Sequence, residues 1–389
     1  MGRHGRAVVF PAEFGDFLTS VVAGLSVYEA SAKDSAAEVV YWDASNTARE
    51  TYRDAVVSTF SGVTAEITAA SFVDMLTAME TKALAGVAKA LGTNGGLSPS
   101  YFYYECTDYS INTPPTVQST DPAPTTTVTA KAFKTHTLPL FLEGPTRHLK
   151  IIPSVAEKRR VYELARSSNL YDKELSMYTL SESLATMSPE IGRMKAFSAG
   201  WLENQSVWLH MSYKFYLELL RGELYEEFYA EILTGLVPFM DPKVYGRSPL
   251  EAASFIVSSA FPDPKLHGAS FLARLSGSTA EFLSMWALMF AGPKPFSLTS
   301  NGELALTLRP ALPGWLFTDE GIVSFTFLGA TKVTYHNPTK ANTWTLNAPT
   351  KVVMLGVDGA RIELAAGDVK GPVAQDVREG KYAAIDVVF

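Results

Sequence analysis

The run SVWLHMSYKFYLELLRGELYEEFYAEIL, residues 206–233, decides the fold class. Val207, Met211, Phe215 and Leu219 recur four apart, which puts them on one apolar stripe of a helix, and such a stripe is buried. Outward from this run the pattern repeats. Over 138–292 the segments SVAEKRRVYELARSS and GSTAEFLSMWALMFAG read as further helices, separated by Gly/Pro turns and without strands between them. Residues 14–92 are Ala-rich with helical spacing. The clearest case is ITAASFVDMLTAMETKALAGVAKAL, where Ile67, Phe72, Leu76, Met79 and Leu84 recur near a period of about 3.6, and Gly95 and Gly96 stop the pattern. The aromatic stretch LSPSYFYYECTDYSI reads as extended. The Pro/Thr-rich segment TPPTVQSTDPAPTTTVTA, 113–130, has no apolar periodicity and is expected to be an exposed, disordered loop.

Past Pro295 the character changes. ELALTLRP, GIVSFTFLG, TKVTYHN and KVVMLGV are short, rich in Val, Thr and Phe, and broken by Gly, Asn and Pro, as in an antiparallel β module. Helices followed by strands imply segregated layers and not a βαβ sheet. The expectation is therefore a mainly α chain, with a helical domain over 1–294 and a β-sandwich-like domain over 295–389.

With 389 residues, 47% of them hydrophobic, the chain is long enough to bury a large core. A net charge of -7 without a basic run argues against nucleic acid or an anionic membrane as partner. The single Cys106 excludes an internal disulfide framework and a multi-cysteine zinc site, and no metal is expected. The N-terminal MGRHGRAVVFPAEFGDF has no apolar core of signal-peptide length, and FLSMWALMFAG, 282–292, is too short to span a bilayer. A cytoplasmic protein is the expectation. No Gly-rich nucleotide fingerprint appears.

GWLENQSVWLH, 200–210, gathers a carboxylate, an amide, two tryptophans and a histidine where a helix begins. Each has an ordinary reading: Glu203 and Asn204 as helix caps, His210 as a hydrogen-bonded core histidine. LSGSTAEFLSMW, 275–286, is either a Ser/Thr cap or a small-residue turn feeding a helix N-terminus, a ready anion site. In YGRSPLE, 245–251, Arg247 is expected to pair with Glu251. His267 reads as a ligand contact or, more simply, as an exposed turn histidine, and Arg147 and His148 as structural. Trp42, Tyr101, Tyr103 and Trp201 are either sugar platforms or core.

Four segments together carry a resemblance: HTLPLFLEGPTRHLK (136–150), IGRMKAFSAGWLENQSVWLH (191–210), FPDPKLHGASFLARLSGSTAEFLSMW (261–286) and LRPALPGWLFTDEGIVSFTFLGATKVTYHNP (308–338). In sequence and order they resemble the C-terminal half of the inverting β-glucoside phosphorylases. These are glycoside hydrolase family 94 of the cellobiose phosphorylase type, with the related β-1,2- and β-1,3-oligoglucan phosphorylases. The resemblance covers most of residues 40–340. It implies a helical toroid of the (α/α)6-barrel type, here partial, ahead of the β module. It also implies phosphate held by His210 and the turn Ser276, Gly277, Ser278, and sugar held by Glu203, Asn204 and Trp208, with Glu251 near the pocket. Gln205 and Ser206 stand where the family has glycines, and Ser276 stands for a Thr.

The implied reaction is reversible phosphorolysis of a β-glucoside or β-oligoglucan to α-glucose 1-phosphate. An inverting glycosidase needs an acid for the leaving oxygen and a base for water. Phosphate is already a nucleophilic anion, so only the acid is needed, and hydroxyls, imidazole and N–H groups orient the anion. No cofactor is implied, and inorganic phosphate is the co-substrate. The family's acid comes from a Trp-rich turn before a helix. VVYWDASNTARETYRD, 39–54, is the positional match and makes Asp43 the candidate, with Asp34 and Asp54 as neighbours and a helix N-cap as the other reading of Asp43.

Family members carry a β-sandwich, further barrel helices and a phosphate-binding arginine ahead of this point. The resemblance thus implies half a toroid, with helix faces that need a partner: the missing N-terminal half or a second copy of the chain. Such a half is either an enzyme portion or a catalytically silent, sugar-binding remnant.

Overall fold

A computed structural model describes residues 7–30, 35–112, 127–272 and 276–389. The chain divides into two compact units at 138/139, so residue 295, the sequence-based boundary, falls inside the second.

In the first unit β1 (Ala7–Pro11) leads into α1 (Ala12–Ala30) and α2 (Ser35–Ala55). Next come β2 (Thr64–Thr68), α3 (Ala69–Thr93), β3 (Phe102–Asn112) and β4 (Thr127–Thr137). β1 pairs antiparallel with β2, and α1 packs on α2 and α3, burying Leu18, Leu25 and Tyr28. Thr68 caps α3 by accepting from the Ser71 N–H at 3.1 Å. Ile67 therefore belongs to β2, not to the helix its spacing suggests. Leu76 and Leu84 stay exposed, at 49% and 58% of their surface. β3 and β4 form a long antiparallel ribbon packed on α2. Thr127–Ala130, read from sequence as loop, lie in β4, and 113–126 are outside the described residues.

The second unit runs through α4 (Glu143–Ile151), α5 (Val155–Ser167), β5 (Tyr171–Asp172), β6 (Met177–Tyr178), β7 (Val207–Trp208), α6 (Leu209–Arg221), α7 (Tyr225–Gly235) and α8 (Pro242–Tyr245). It continues with β8 (Phe255–Ile256), β9 (Ser270–Phe271) and α9 (Ser276–Ala291). After these come β10 (Phe296–Leu298), β11 (Leu304–Leu306), β12 (Ile322–Phe327), β13 (Thr331–His336), β14 (Lys351–Gly356), β15 (Arg361–Ala365), α10 (Pro372–Arg378) and β16 (Tyr382–Val388).

α6 is the centre of this unit. It contacts α4, α7 and α9, and nine of its residues are buried, Phe215 and Leu219 completely. Fully burying side chains of this size stabilises by about 1.5–3 kcal/mol each. A helix covered on most sides is a core element and not a wall of a ring. The toroid is thus corrected: among the described residues the helices are interleaved with small sheets and no ring of paired helices is formed. The helices are not strand-free neighbours either, because β5 to β9 lie among them, and Val207 of the stripe belongs to β7.

The C-terminal sheet has the order β12-β13-β16-β14-β15. β13 and β16 run parallel, so the module is mixed and not antiparallel, and α10 lies within the crossover. Its Phe325 and Tyr335 pack against α9, with the Tyr335 hydroxyl donating to the Phe290 carbonyl at 2.5 Å.

Candidate functional site

A small sheet places the site. β7 and β9 both pair antiparallel with β8, so they run parallel to each other. Each feeds a helix: β7 passes directly into α6, and β9 leads through 272–275 to α9. Helices that follow strands running in the same direction start at the same end of the sheet. His210 is the second residue of α6 and Gly277 the second of α9, and the two meet. A Cβ built on Gly277 would lie 2.5 Å from the His210 Cε1 and Nδ1 and 2.8 Å from Cγ. Only a glycine lets the imidazole rest on the backbone there. The Nε2 of the same ring lies 3.5 Å from the Glu281 carboxylate, one helical turn beyond Gly277. Both side chains are partly exposed. The positive ends of two helix dipoles and an imidazole thus converge at one place.

Of the remaining phosphate candidates, Ser278 is fully buried in the first turn of α9, and Ser276 opens that helix with its side chain outside the description. Trp208 is the residue before α6 and makes no side-chain cap. Its indole stacks on Phe255 at 6.3 Å, and Phe255 stacks on Phe271 at 5.8 Å, as the register of β7, β8 and β9 dictates. Trp201 packs against Phe255, Phe261 and Phe271, closing an aromatic wall behind the loop.

The 200–206 loop carries Glu203 and Asn204. It is tight, with Gly200, Leu202 and Gln205 all at positive φ. It is tied down by the Asn204 N–H to the Trp201 carbonyl, by the Gly200 N–H to the Asn204 carbonyl, and by the Ser258 hydroxyl to the Gln205 carbonyl at 2.6 Å. Neither Glu203 nor Asn204 caps a helix. The Glu203 carboxylate accepts from both ends of the Arg193 guanidinium, Nε at 3.0 Å. The Asn204 amide donates to the Phe197 carbonyl at 2.7 Å, while its Oδ1, buried, has no donor. A buried acceptor left without a donor costs about 1–3 kcal/mol, so Oδ1 is poised to take a hydroxyl.

Glu251 is exposed at a turn. Its backbone carbonyl accepts from the buried Tyr245 hydroxyl at 2.7 Å. The expected Arg247–Glu251 pair does not form: the Arg247 Nε is buried without a hydrogen-bond partner. His267 is not an exposed turn residue. Its Nδ1 bonds Glu174 and its Nε2 bonds the Phe261 carbonyl, both at 2.8 Å, and its side chain is only 10% exposed. The Phe261 carbonyl and the Glu174 carboxylate hold its pKa above the ordinary histidine value. Arg147 pairs with Glu143 one turn back in α4, and His148 has a buried Nδ1 without a partner.

Asp43 belongs to the first unit. It is exposed in the middle of α2, in the unit that does not contain His210, and is neither an N-cap nor part of a turn. Asp54 is also exposed on α2, and Asp34 is outside the described residues. Trp42, next to Asp43, lines a cavity of about 160 Å3 with Glu38, Val39, Tyr104, Phe133 and Thr135. Two residues escaped sequence reasoning. Glu281 was detectable as the position four after Gly277, on the same helix face; Arg193, ten residues before its partner Glu203, had no such signal.

Among the described residues no helix is long and apolar enough to cross a membrane, and no three His, Cys, Asp or Glu side chains converge to hold a metal ion. No protein-family model matches the chain, and no curated protein matches it.

Proposed function

We propose that the protein binds inorganic phosphate and a β-glucoside and acts as an inverting glycoside phosphorylase. The observation that carries this reading is the His210 ring against Gly277, where the first turns of α6 and α9 meet. Helix N-termini and an imidazole are donors suited to an oxyanion. In the segment that leads into α6, the Trp208 ring, the Glu203 carboxylate and the donor-less Oδ1 of Asn204 are of the types that suit the apolar face and hydroxyls of a sugar.

In this reading a phosphate oxygen attacks the anomeric carbon from the face opposite the glycosidic bond. The bond to the leaving oxygen breaks as that oxygen takes a proton from the acid. Inversion converts a β-linkage to α-glucose 1-phosphate, with the shortened sugar as the second product. The resemblance assigns the acid to Asp43. A cytoplasmic location goes with this chemistry, since phosphate is the co-substrate.

Incubation with phosphate and β-1,2-, β-1,3- or β-1,4-linked oligoglucosides tests the proposal. It expects α-glucose 1-phosphate from wild type and none from Asp43→Asn, with phosphate binding intact in both. Free glucose independent of phosphate, or no product from any linkage, overturns it.

One observation favours a second reading, a sugar- and phosphate-binding protein without turnover. Asp43 is an exposed carboxylate in the middle of α2, not in the turn before a helix from which the resemblance draws its acid. That reading expects oligosaccharide binding unchanged by Asp43→Asn and no product from either form.

A further inference from the structure

We infer that Glu281 is a positioning residue that fixes which face and which nitrogen of the His210 ring are offered to the anion. This rests on the phosphate reading of the same site. Two contacts define the ring: its Nε2 faces the Glu281 carboxylate at 3.5 Å, and its Nδ1 and Cε1 edge faces the Gly277 backbone. Glu281 and Gly277 are four apart on α9, so one helix face supplies both a carboxylate acceptor and a flat floor. The 3.5 Å contact puts the carboxylate on the Nε2 side of the ring, and Nδ1 lies on the Gly277 side, where the first turns of the two helices meet. This is the arrangement by which carboxylates orient working histidines elsewhere, the far nitrogen tethered so that the near one is aimed.

The sign of the effect separates positioning from mere proximity. A carboxylate beside an anion site repels the anion, so if Glu281 only sits nearby, its removal tightens phosphate binding. If it positions the ring, removal loosens binding in spite of the relieved repulsion. Glu281→Gln keeps an acceptor oxygen without the charge, and Glu281→Leu keeps neither.

The experiment titrates inorganic phosphate into wild type, Glu281→Gln and Glu281→Leu by calorimetry, and records the imidazole 15N signals of each. His210→Gln identifies the His210 pair among the six histidines. We expect Glu281→Gln to bind phosphate as well as wild type or better, with the His210 tautomer pattern kept. We expect Glu281→Leu to bind about tenfold more weakly, with that pattern changed. Equal or tighter binding by both variants overturns the inference, as does an unchanged His210 pattern in Glu281→Leu. If wild type binds no phosphate, the functional reading fails by itself. The nitrogen signals then still decide whether Glu281 orients the ring: a changed pattern in Glu281→Leu supports it and an unchanged one sinks it.

Discussion

His210 rests on Gly277: the second residue of one helix lies against the backbone of the second residue of another, and a methyl group on the glycine would approach two ring atoms to 2.5 Å. The contact exists because β7 and β9 flank β8 in parallel and launch α6 and α9 from the same end. Real Cβ atoms do not approach so closely, so Gly277→Ala must swing the imidazole away or shift the start of α9.

Helix propensity alone favours alanine over glycine by up to about 1 kcal/mol. The clash opposes this with about 1–3 kcal/mol of overpacking. Gly277→Ala is therefore expected to lower stability by about 1 kcal/mol and phosphate affinity by at least about tenfold. Denaturant melts and phosphate calorimetry measure the two. A stabilised variant that binds phosphate normally would show that the ring does not need its floor.

His267 joins two loops, one through Glu174 and one through the Phe261 carbonyl. Phe261 packs on Trp201 at the foot of the loop that holds Glu203. Accepting groups on both ring nitrogens favour the imidazolium, so the folded-state pKa lies above the usual value near 6.5. Stability from a raised pKa is complete below the unfolded value and is lost as the pH rises through the folded value. The gap in melting temperature between wild type and His267→Gln is thus expected to be widest near about pH 5.5 and to shrink toward about pH 8.5. A gap that widens with pH would mean the ring works as the neutral form.

Glu231, 1% exposed, is more deeply buried than Asp172 and Glu218, the other buried acidic residues among those described in the second unit. Its Oε1 accepts from the Tyr162 hydroxyl at 2.7 Å, the Tyr178 hydroxyl at 3.1 Å and the Arg166 guanidinium. Burial and the carboxylate together push both tyrosine pKa values up, so the phenols remain donors across the accessible range. Glu231→Leu strands two buried hydroxyls and half of an ion pair. It is expected to destabilise by about 3 kcal/mol, read from chemical melts, whereas Glu231→Gln keeps an acceptor and costs about half of that. Equal losses in the two variants would assign the effect to packing.

Much of this architecture was legible locally, and the rest depends on pairings that leave no local trace. The buried positions Phe215 and Leu219 follow from the period of α6, and β12 and β13 follow from the alternating runs GIVSFTFLG and TKVTYHN. β7, β8 and β9 have two residues each, too few for any period, so Val207 reads as helix. The parallel pairing of β13 with β16 brings together segments separated by two strands and a helix, and no hairpin signal marks it. The toroid was an inference from resemblance and not from periodicity. It fails because α6 is buried on most of its surface, which four-apart spacing cannot distinguish from burial on one face. Asp43 shows the same ambiguity: an Asp followed by Ala-Ser-Asn can open a helix, but here the upstream SAAEVVYW is already helical. At the site, the convergence of 210 with 277 was expected from the resemblance alone, and its geometric cause lies in the three short strands.

Gln205 closes the loop with a residue that the resemblance would have as glycine. Its φ of 59° is left-handed, as is the 50° of Leu202, and a side chain in that region costs about 1–2 kcal/mol relative to its helical conformation. Tertiary bonds hold it there: its N–H donates to the Ser181 hydroxyl at 3.2 Å, and its carbonyl accepts from the Ser258 hydroxyl. Glycine reaches the same φ without the steric cost but loses about 0.5–1 kcal/mol more conformational entropy on folding. Both tethers use backbone atoms of residue 205, so they survive the substitution. Gln205→Gly is therefore expected to raise stability by about 0.5–1 kcal/mol while leaving phosphate binding at His210 unchanged. Denaturant melts beside phosphate titration check both halves. A loss of stability would mean that the glutamine side chain contributes more to the loop than its strained backbone costs.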